Sequence, residues 1–422
     1  MSSPRLPWMA AILVAALPAR AIQPLEVFVA GARDRNPDAE KARATLSVQR
    51  AQADVELGRQ LPGVTVRGGY DRNQYAASFD LSGKRYALQP LNEWSGSATL
   101  SVPLIDLAAF ARIAAARTNA ESYAHRLEAT LLGIESRTGQ DYYQLLANRA
   151  LVSVAEKYLE VSRENLRITQ SKLSAGTATR LEVDRAVADV EQQVQQLASA
   201  QLQLALSARD LQSTTSIEPD ISSEVELSDD LHSEPDLSLF EAELANVPSV
   251  TASAAATRAA QHQAEAQRFA LLPTISGYFT EYGTNAPGFQ PSSWYWQTGV
   301  GFTWSFDLTS VANIRSGDAA AAAAQAQQTR ASLDAGDTIH RYWQTIRAGI
   351  AQSRSARAGR DAAVRASEQA RVQYLAGTAT QLDLLQARRD AFAAEVTRIQ
   401  DDANLLNARG QLRLAVGRSL GR

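Results

Sequence analysis

One short phrase occurs twice in the chain and constrains everything else. Leu173-Ser174-Ala175-Gly176-Thr177-Ala178-Thr179 returns as Tyr374-Leu375-Ala376-Gly377-Thr378-Ala379-Thr380. Each copy interrupts a long helical pattern. Each is followed by an acid and an apolar stripe, Leu181-Glu182-Val183 and Leu382-Asp383-Leu384. Gly-Thr inside a helical run predicts a tight turn, with Gly in a backbone geometry that a helix cannot use and Thr capping the next helix. Two helix hairpins with the same tip, one in each half, mark an internal duplication.

The flanking sequence repeats as well. Pro37 to Pro62 and Pro248 to Pro273 are both rich in Ala and Gln at helical spacing, and a Leu-Pro step (Leu61-Pro62, Leu272-Pro273) stops each. Alternation follows. Val64, Val66, Gly68 and Tyr70 oppose Thr65, Arg67 and Asp71; Ile275, Gly277 and Phe279 oppose Thr274, Ser276, Tyr278 and Thr280. A second alternating run closes each window, around Ala98-Leu100-Val102 and Val300-Phe302-Trp304-Phe306. These predict period-two strands over about 62–75, 94–105, 273–283 and 294–307. Polar loops are expected between them, roughly 76–93 and 283–293. Four of the six tryptophans, Trp94, Trp294, Trp296 and Trp304, fall in these windows. They suit the rim aromatics of a membrane β-barrel whose outer face meets lipid, although the strands alone also suit a soluble sandwich.

No proline occurs between Pro103 and Pro219, or after Pro291. A helix from about Leu107 to Ser174 would run on the order of 100 Å. The outgoing helices carry heptad stripes: Val183, Val187, Val190, Val194, Leu197 and Leu204 in one, Leu385, Phe392, Val396, Ile399, Ala403 and Leu406 in the other. That spacing predicts coiled-coil packing of long antiparallel helices. Gly133, Gly139, Gly336 and Gly349 within these runs read as kinks or close-packing points.

The expected organisation is a signal peptide (1–21), a first repeat (22–211, tip about 173–180), an acidic linker (212–247), a second repeat (248–417, tip about 374–381) and a tail (418–422). Arg5, the apolar stretch Trp8 to Leu17, and Ala19-Arg20-Ala21 carry the signal reading. The linker holds ten Asp or Glu and no Lys or Arg, with a short helix expected at Leu237–Ala245. With no cysteine, neither disulfides nor a lipid-modified Cys is available, so packing or oligomerisation must supply stability. The net charge of −3 gives no ground for nucleic acid as a partner.

Four strands per chain cannot close a barrel, and sheet edges cannot stay unpaired in hydrocarbon. Oligomerisation is therefore expected. A homotrimer supplies twelve strands, against about eight in the smallest membrane barrels. The fold class is mainly α with a small β part: a duplicated helix-strand-strand-helix-helix repeat. Three copies would build a 12-stranded outer-membrane β-barrel, continued by a long α-helical coiled-coil periplasmic barrel.

In its order of elements, its strand starts after proline and its twin Gly-Thr tips, the chain resembles the TolC-like outer-membrane efflux and secretion family. The resemblance spans about Pro24 to Leu420. It implies a homotrimeric channel-tunnel in the outer membrane that docks on a periplasmic adaptor (membrane fusion protein) coupled to an inner-membrane pump. The docking tips would be Leu173, Ala175, Gly176 and Thr177, with Leu375, Ala376, Gly377 and Thr378. Asp383 matches an acidic position that lines the family's periplasmic constriction; Glu182 stands in the equivalent place, and either could instead be a dipole-favoured N-terminal acid. The chain departs from the family pattern one turn later, at Gln386, where the family has a second acid. Arg180, Arg185, Arg388 and Arg389 lie near enough in sequence to pair with tip acids and hold the tube shut.

No catalytic constellation is present: the four histidines are scattered, and no Gly-rich phosphate loop follows a strand. No enzymatic activity, cofactor or metal is expected. The leading reading is a passive outer-membrane duct exporting small molecules in a tripartite efflux pump. A type I protein-secretion duct of the same fold is the alternative, and a soluble periplasmic coiled-coil adaptor is the alternative of another class.

Overall fold

The computed structural model describes residues 22–222 and 227–421. The expected signal segment, part of the linker and the last residue of the tail lie outside these. In order, the elements are α1 (Leu25–Arg35), α2 (Pro37–Gly58), β1 (Gly63–Arg72), β2 (Ala77–Leu81), β3 (Lys84–Gln89), β4 (Asn92–Ile105), α3 (Leu107–Ser174) and α4 (Arg180–Thr215). The second half has α5 (Leu237–Glu241), a 3-10 turn (Leu244–Asn246), α6 (Pro248–Phe269), β5 (Thr274–Thr284), β6 (Trp294–Thr303), α7 (Leu308–Leu375) and α8 (Gln381–Ala415). The two long helices, α3 and α7, are both 68 residues.

Two compact units form, and neither coincides with a sequence repeat. Among the described residues, one holds those before Glu40 with Leu131–Phe240 and those from Thr338 onward; the other holds Glu40–Thr130 and Glu241–Asp337. Each takes material from both halves: in the first α3 packs on α8, and in the second strands of one half pair with strands of the other.

In the second unit, four strands form one antiparallel sheet in the order β1-β4-β5-β6. Register fixes which residues share a face: Val64 pairs with Leu100 and Val66 with Ala98. Leu100 continues to Phe279, and Ile275 and Gly277 continue to Phe302 and Val300. One face is therefore a continuous apolar surface, and the other carries Arg67, Ser97, Thr99, Thr280 and Gln297. The apolar face is not buried by this chain: Val66 is 76% exposed and Val300 71%. Glu281 is the acid on that face, placed between Ala98 and Trp296 near the loop end.

The sheet differs from expectation in two places. The polar loop between the first two strands contains a hairpin, β2–β3, closed at Ser82-Gly83 by two residues with positive φ. Its first strand alternates Ala77, Phe79 and Leu81 with Ser78 and Asp80, and Phe79 pairs with Tyr86, so the period-two signal is present but confined to a few residues within a polar stretch. The last strand stops at Thr303, not at 307. Trp304 lies just beyond it and donates its Nε1–H to the Leu271 carbonyl at 3.0 Å.

In the first unit α3 is buried on opposite sides at neighbouring positions. Leu146 and Ala147 pack with Ile22, Leu227, Ile399 and Ala403; Leu145 and Val152 pack with Phe28, Leu204 and Leu211. On α8 the predicted stripe is borne out at Leu385, Ile399 and Ala403, all buried. On α4 it holds only in part: Val183 and Leu204 are buried and Val190 and Leu197 half-buried, whereas Val187 and Val194 are exposed and Ala186, Asp189, Gln193 and Leu211 complete the buried face. Small and polar side chains there let helices approach closely, and Asp189 is satisfied by Ser162 at 2.7 Å. Of the helix glycines, Gly139 faces Leu420 and Gly349 faces Leu405 at close range, whereas Gly133 and Gly336 face open space.

Charged pairs fasten the outer segments. Glu135, fully buried, accepts from Arg33 at 2.6 Å and from the Leu420 backbone at 2.8 Å, tying α1 and the C-terminal tail to α3. The acidic linker is held through its carbonyls by Arg149, Arg398 and Trp343, and through its acids by Arg409 on α8. Arg409 meets Asp229 in a two-pronged pair at 2.8 and 3.1 Å, donates to the His232 carbonyl at 2.7 Å, and contacts Glu234. Asp229, Asp230 and His232 come close enough to suggest metal ligation. Both Asp229 oxygens, however, are taken by the guanidinium, so the cluster is the seat of Arg409.

Arg409→Met would leave Asp229 buried without its partner. The expected cost is about 3–5 kcal/mol, read as a lower Tm together with faster proteolysis within residues 227–236. Unchanged melting and cleavage would show that the linker is held by something else.

Candidate functional site

The two helix tips are built alike, and local hydrogen bonding explains the repeated phrase. At the first tip Gly176 adopts φ +76, and at the second Gly377 adopts φ +79. The Thr177 N–H reaches back to the Lys172 carbonyl at 2.9 Å and Gly176 N–H to Leu173 at 2.9 Å. Thr378 and Gly377 do the same to Gln373 and Tyr374. This is the glycine-terminated helix ending that satisfies the last orphan carbonyls. The first Thr of each phrase therefore closes the incoming helix, and the expectation that it caps the outgoing one is corrected.

The second Thr starts the outgoing helix. Thr179 accepts from the Glu182 N–H while the Glu182 carboxylate accepts from the Thr179 N–H at 2.6 Å. Thr380 and Asp383 form the same reciprocal box, with the Asp383 carboxylate at 3.0 Å from the Thr380 nitrogen and 2.7 Å from its hydroxyl. The hydroxyl and backbone N–H of Thr380 hold the Asp383 pKa below its ordinary value. Both acids singled out from sequence are thus tied into the start of a helix through one carboxylate oxygen.

The predicted arginine–acid locks do not form within the chain. Arg180 lies 3.5 Å from Asp184 on its own helix, and Arg389 bonds Gln192 across to α4 at 3.2 Å. Arg185 is exposed, and Arg388 is buried with its Nη1 unpartnered among the described residues. The caps have already claimed the carboxylates, and the arginines point to other helix faces. Gln386 bonds Asp390 at 3.0 Å one turn along the same helix.

What joins the two tips was missed in the sequence. Lys172 of α3 donates to the Tyr374 carbonyl at 3.1 Å, and its ammonium sits 4.0 Å above the Tyr374 ring. Gln381, the first residue of α8, donates to the Glu182 carbonyl at 2.6 Å. Tyr374 and Gln381 are both buried. The only hint in the sequence is that Tyr stands where the first copy of the phrase has Leu. Around this clasp, Ala175, Gly176, Thr177, Leu375, Ala376, Gly377 and Thr378 are exposed and Leu173 is half-buried. Leu181 and Leu382, two residues past the N-cap Thr in each tip, are also exposed.

The aromatic positions separate into two levels. Trp94 and Trp294 meet at the loop end of the sheet with ring centres 6.4 Å apart, and Trp296 stacks on Phe279 at 6.1 Å. Trp304 lies past the opposite end of β6. The four do not form one girdle.

The sequence profile of the family described as Outer membrane efflux protein matches residues 29–215 and 239–418. The chain belongs to that family. Among its relatives, the Probable efflux pump outer membrane protein TtgC of Pseudomonas putida is 25% identical over 402 residues, covering 90% of this chain and 80% of TtgC. The Antibiotic efflux pump outer membrane protein ArpC of the same species shows the same identity and coverage. Solved structures share the fold. CusC superposes with TM-score 0.82 at 18% identity over 93% of this chain and 92% of that one. The CmeC outer membrane channel of Campylobacter jejuni gives 0.80 at 18% over 99% and 93%. The outer-membrane placement of this family member accords with the exposed apolar face of its sheet.

Gly377→Ala places a Cβ in open space, so its cost is backbone strain alone, about 1–2 kcal/mol; a local rise in hydrogen exchange at 374–381 would report it, and unchanged exchange would remove the strain argument. The Asp383 cap has a sign in pH as well. Because its folded pKa is depressed, its stabilisation is complete above the ordinary value of 3.8 and is lost as pH falls through the lower, folded one. Asp383→Asn is expected to abolish that acid-dependent loosening of the first turn of α8, measured as exchange corrected for intrinsic rates.

Proposed function

We propose that the chain is the outer-membrane exit duct of a tripartite efflux pump, a homotrimer that opens at its tips when an adaptor docks. The observation that carries this is the four-stranded sheet, apolar and exposed on one face, whose β1 and β6 edges pair with no further strand among the described residues. In lipid such edges must be paired, and joining β1 of one copy to β6 of the next does so for every strand once the ring closes. Three copies give twelve strands, wide enough for a water-filled lumen. The exposed Val187 and Val194, seven positions apart on α4, suit helix–helix contact with a neighbouring copy. The names of the P. putida relatives favour efflux over protein secretion. A soluble adaptor would have no use for an apolar sheet face of this extent.

The tips supply the gate. A closed protomer is fastened by Lys172 on Tyr374 and by Gln381 on Glu182. A hydrogen bond to a charged group contributes about 1.5–3 kcal/mol, within reach of the energy of a docked helical hairpin. The exposed Gly-Thr turns and the leucines Leu181 and Leu382 offer the docking surface. Three Asp383 carboxylates, kept ionised by their caps, would make an anionic ring that favours cations. The duct itself performs no energy-consuming step; the inner-membrane pump provides it.

Lys172→Ala combined with Tyr374→Ala is expected to raise the conductance of reconstituted channels severalfold while leaving trimers intact; wild-type traces would remove the clasp from the gate. Asp383→Asn should lower cation preference, and unchanged reversal potentials in a salt gradient would remove the ring. Fractionation decides the class: a heat-resistant trimer in the outer membrane is expected, and a soluble periplasmic monomer would overturn the duct.

A further inference from the structure

Among the described residues, one carboxylate stands on the greasy face of the four-stranded sheet. Glu281 of β5 lies in the row that runs from Val66 through Ala98 to Trp296, and it is exposed. It has no hydrogen-bond or ion-pair partner among those residues. The other charge on this face, Arg72, stands opposite Asn92 at the loop end of β1, several rows further on. A charge on the lipid side of a barrel wall is destabilising unless it reaches the interface or finds a countercharge.

Aromatic rings bound Glu281 on both sides along β5. Two residues toward the loop end, the Trp294 indole lies across Gly283, so closely that a Cβ there would meet ring carbons at 2.9 to 3.1 Å. Trp94 backs that indole, with ring centres 6.4 Å apart. Two residues the other way, Phe279 stacks on Trp296 at 6.1 Å with 24° between the ring planes. Four residues of antiparallel strand separate the bases of these two walls by about 14 Å. Toward β4 the neighbours are Ala98 and Gly96, and a Cβ at Gly96 would meet only the Arg67 carbonyl, so that side is open. An unpaired anion between aromatic walls fits a cation that can donate N–H bonds to it and lie against the rings. Tryptophan also marks the depth at which lipid headgroups begin.

We propose that Glu281, Trp294 and Trp296 form a docking site for the ammonium of an amine-bearing lipid headgroup, whose acyl chains run over Phe279, Leu100 and Val300. The inference rests on the reading of this face as lipid-facing.

The test titrates the full chain, purified and delipidated as an oligomer in maltoside detergent, by isothermal calorimetry. The probes are dihexanoyl-phosphatidylethanolamine, its N-acetyl derivative and free ethanolamine. Saturable binding of the phosphatidylethanolamine is expected, with none by the N-acetyl lipid, which carries no cation. Binding should weaken about tenfold in Glu281→Gln, which removes a charge-assisted bond, and about threefold in Trp294→Leu, which removes a ring contact. Equal binding of the N-acetyl lipid overturns the ammonium assignment, and ethanolamine binding as tight as that of the lipid overturns the lipid assignment in favour of a free amine. No saturable binding of phosphatidylethanolamine, or binding that Glu281→Gln leaves unchanged, overturns the proposal. Circular dichroism and oligomer migration establish that each variant is folded; should Trp294→Leu fail, Glu281→Gln carries the comparison. Conductance of the same preparation separates the two readings: a conducting oligomer without the lipid site sinks this inference alone, whereas a soluble chain that does not conduct sinks the duct.

Discussion

A strand edge cannot be left unpaired in hydrocarbon, and the rest of this protein follows from that constraint. The β1-β4-β5-β6 sheet presents one greasy face and one polar face, as a lipid-facing wall must. Each chain has two open edges and cannot satisfy them alone. The duplication supplies two strands per half, and β4–β5 pairing sews the halves into one sheet. On the proposed reading, further copies of the chain supply the partners for those two edges.

The helices obey a different limit. A helix of 68 residues must end cleanly if it is to turn back on its partner. Both turns solve this with the same atoms: a left-handed glycine, one threonine closing the incoming helix, and a second threonine sharing a reciprocal box with an acid. The acids that look like gate residues therefore have a structural duty first. At the tips the hairpins meet through one lysine on a tyrosine and one glutamine on a carbonyl, with Arg389 on Gln192 and the α3–α8 apolar packing further along.

Elsewhere in the first unit, buried charge sets register. Asp402, fully buried between α7 and α8, takes Arg357 at 2.8 Å and Arg398 at 3.2 Å. Arg409 fixes the linker and Glu135 the tail in the same manner. Smooth Ala-rich helices slide past one another readily, and paired charges penalise a shifted register. Arg388 is the exception, a buried cation with no such pair.

Much of this was legible before any coordinates. The repeated Ala-Gly-Thr-Ala-Thr located both turns, because only glycine enters the left-handed region cheaply and because N-caps have a strong residue preference. Period-two alternation located the four long strands, since a half-exposed sheet requires it. Other features depended on what lies across a contact. Val187 and Val194 fit a heptad yet stay exposed, because Ala186, Asp189 and Gln193 form the close-packed side of α4. The β2–β3 hairpin alternates as the long strands do, through Ala77, Phe79 and Leu81, but over five and six residues only, too short to stand out from a polar loop. Its place in sequence makes Arg388 a partner for a tip acid, but the caps hold those acids and Arg388 is buried under the attraction of Asp189 on α4 instead. The sequence by itself determined where the chain turns, where it pairs and which face of the sheet is greasy, since backbone geometry and periodicity are local. Only the tertiary structure decided which side chains meet across the two hairpins, because Lys172 and Tyr374 are brought together by packing and no spacing in the chain encodes their contact.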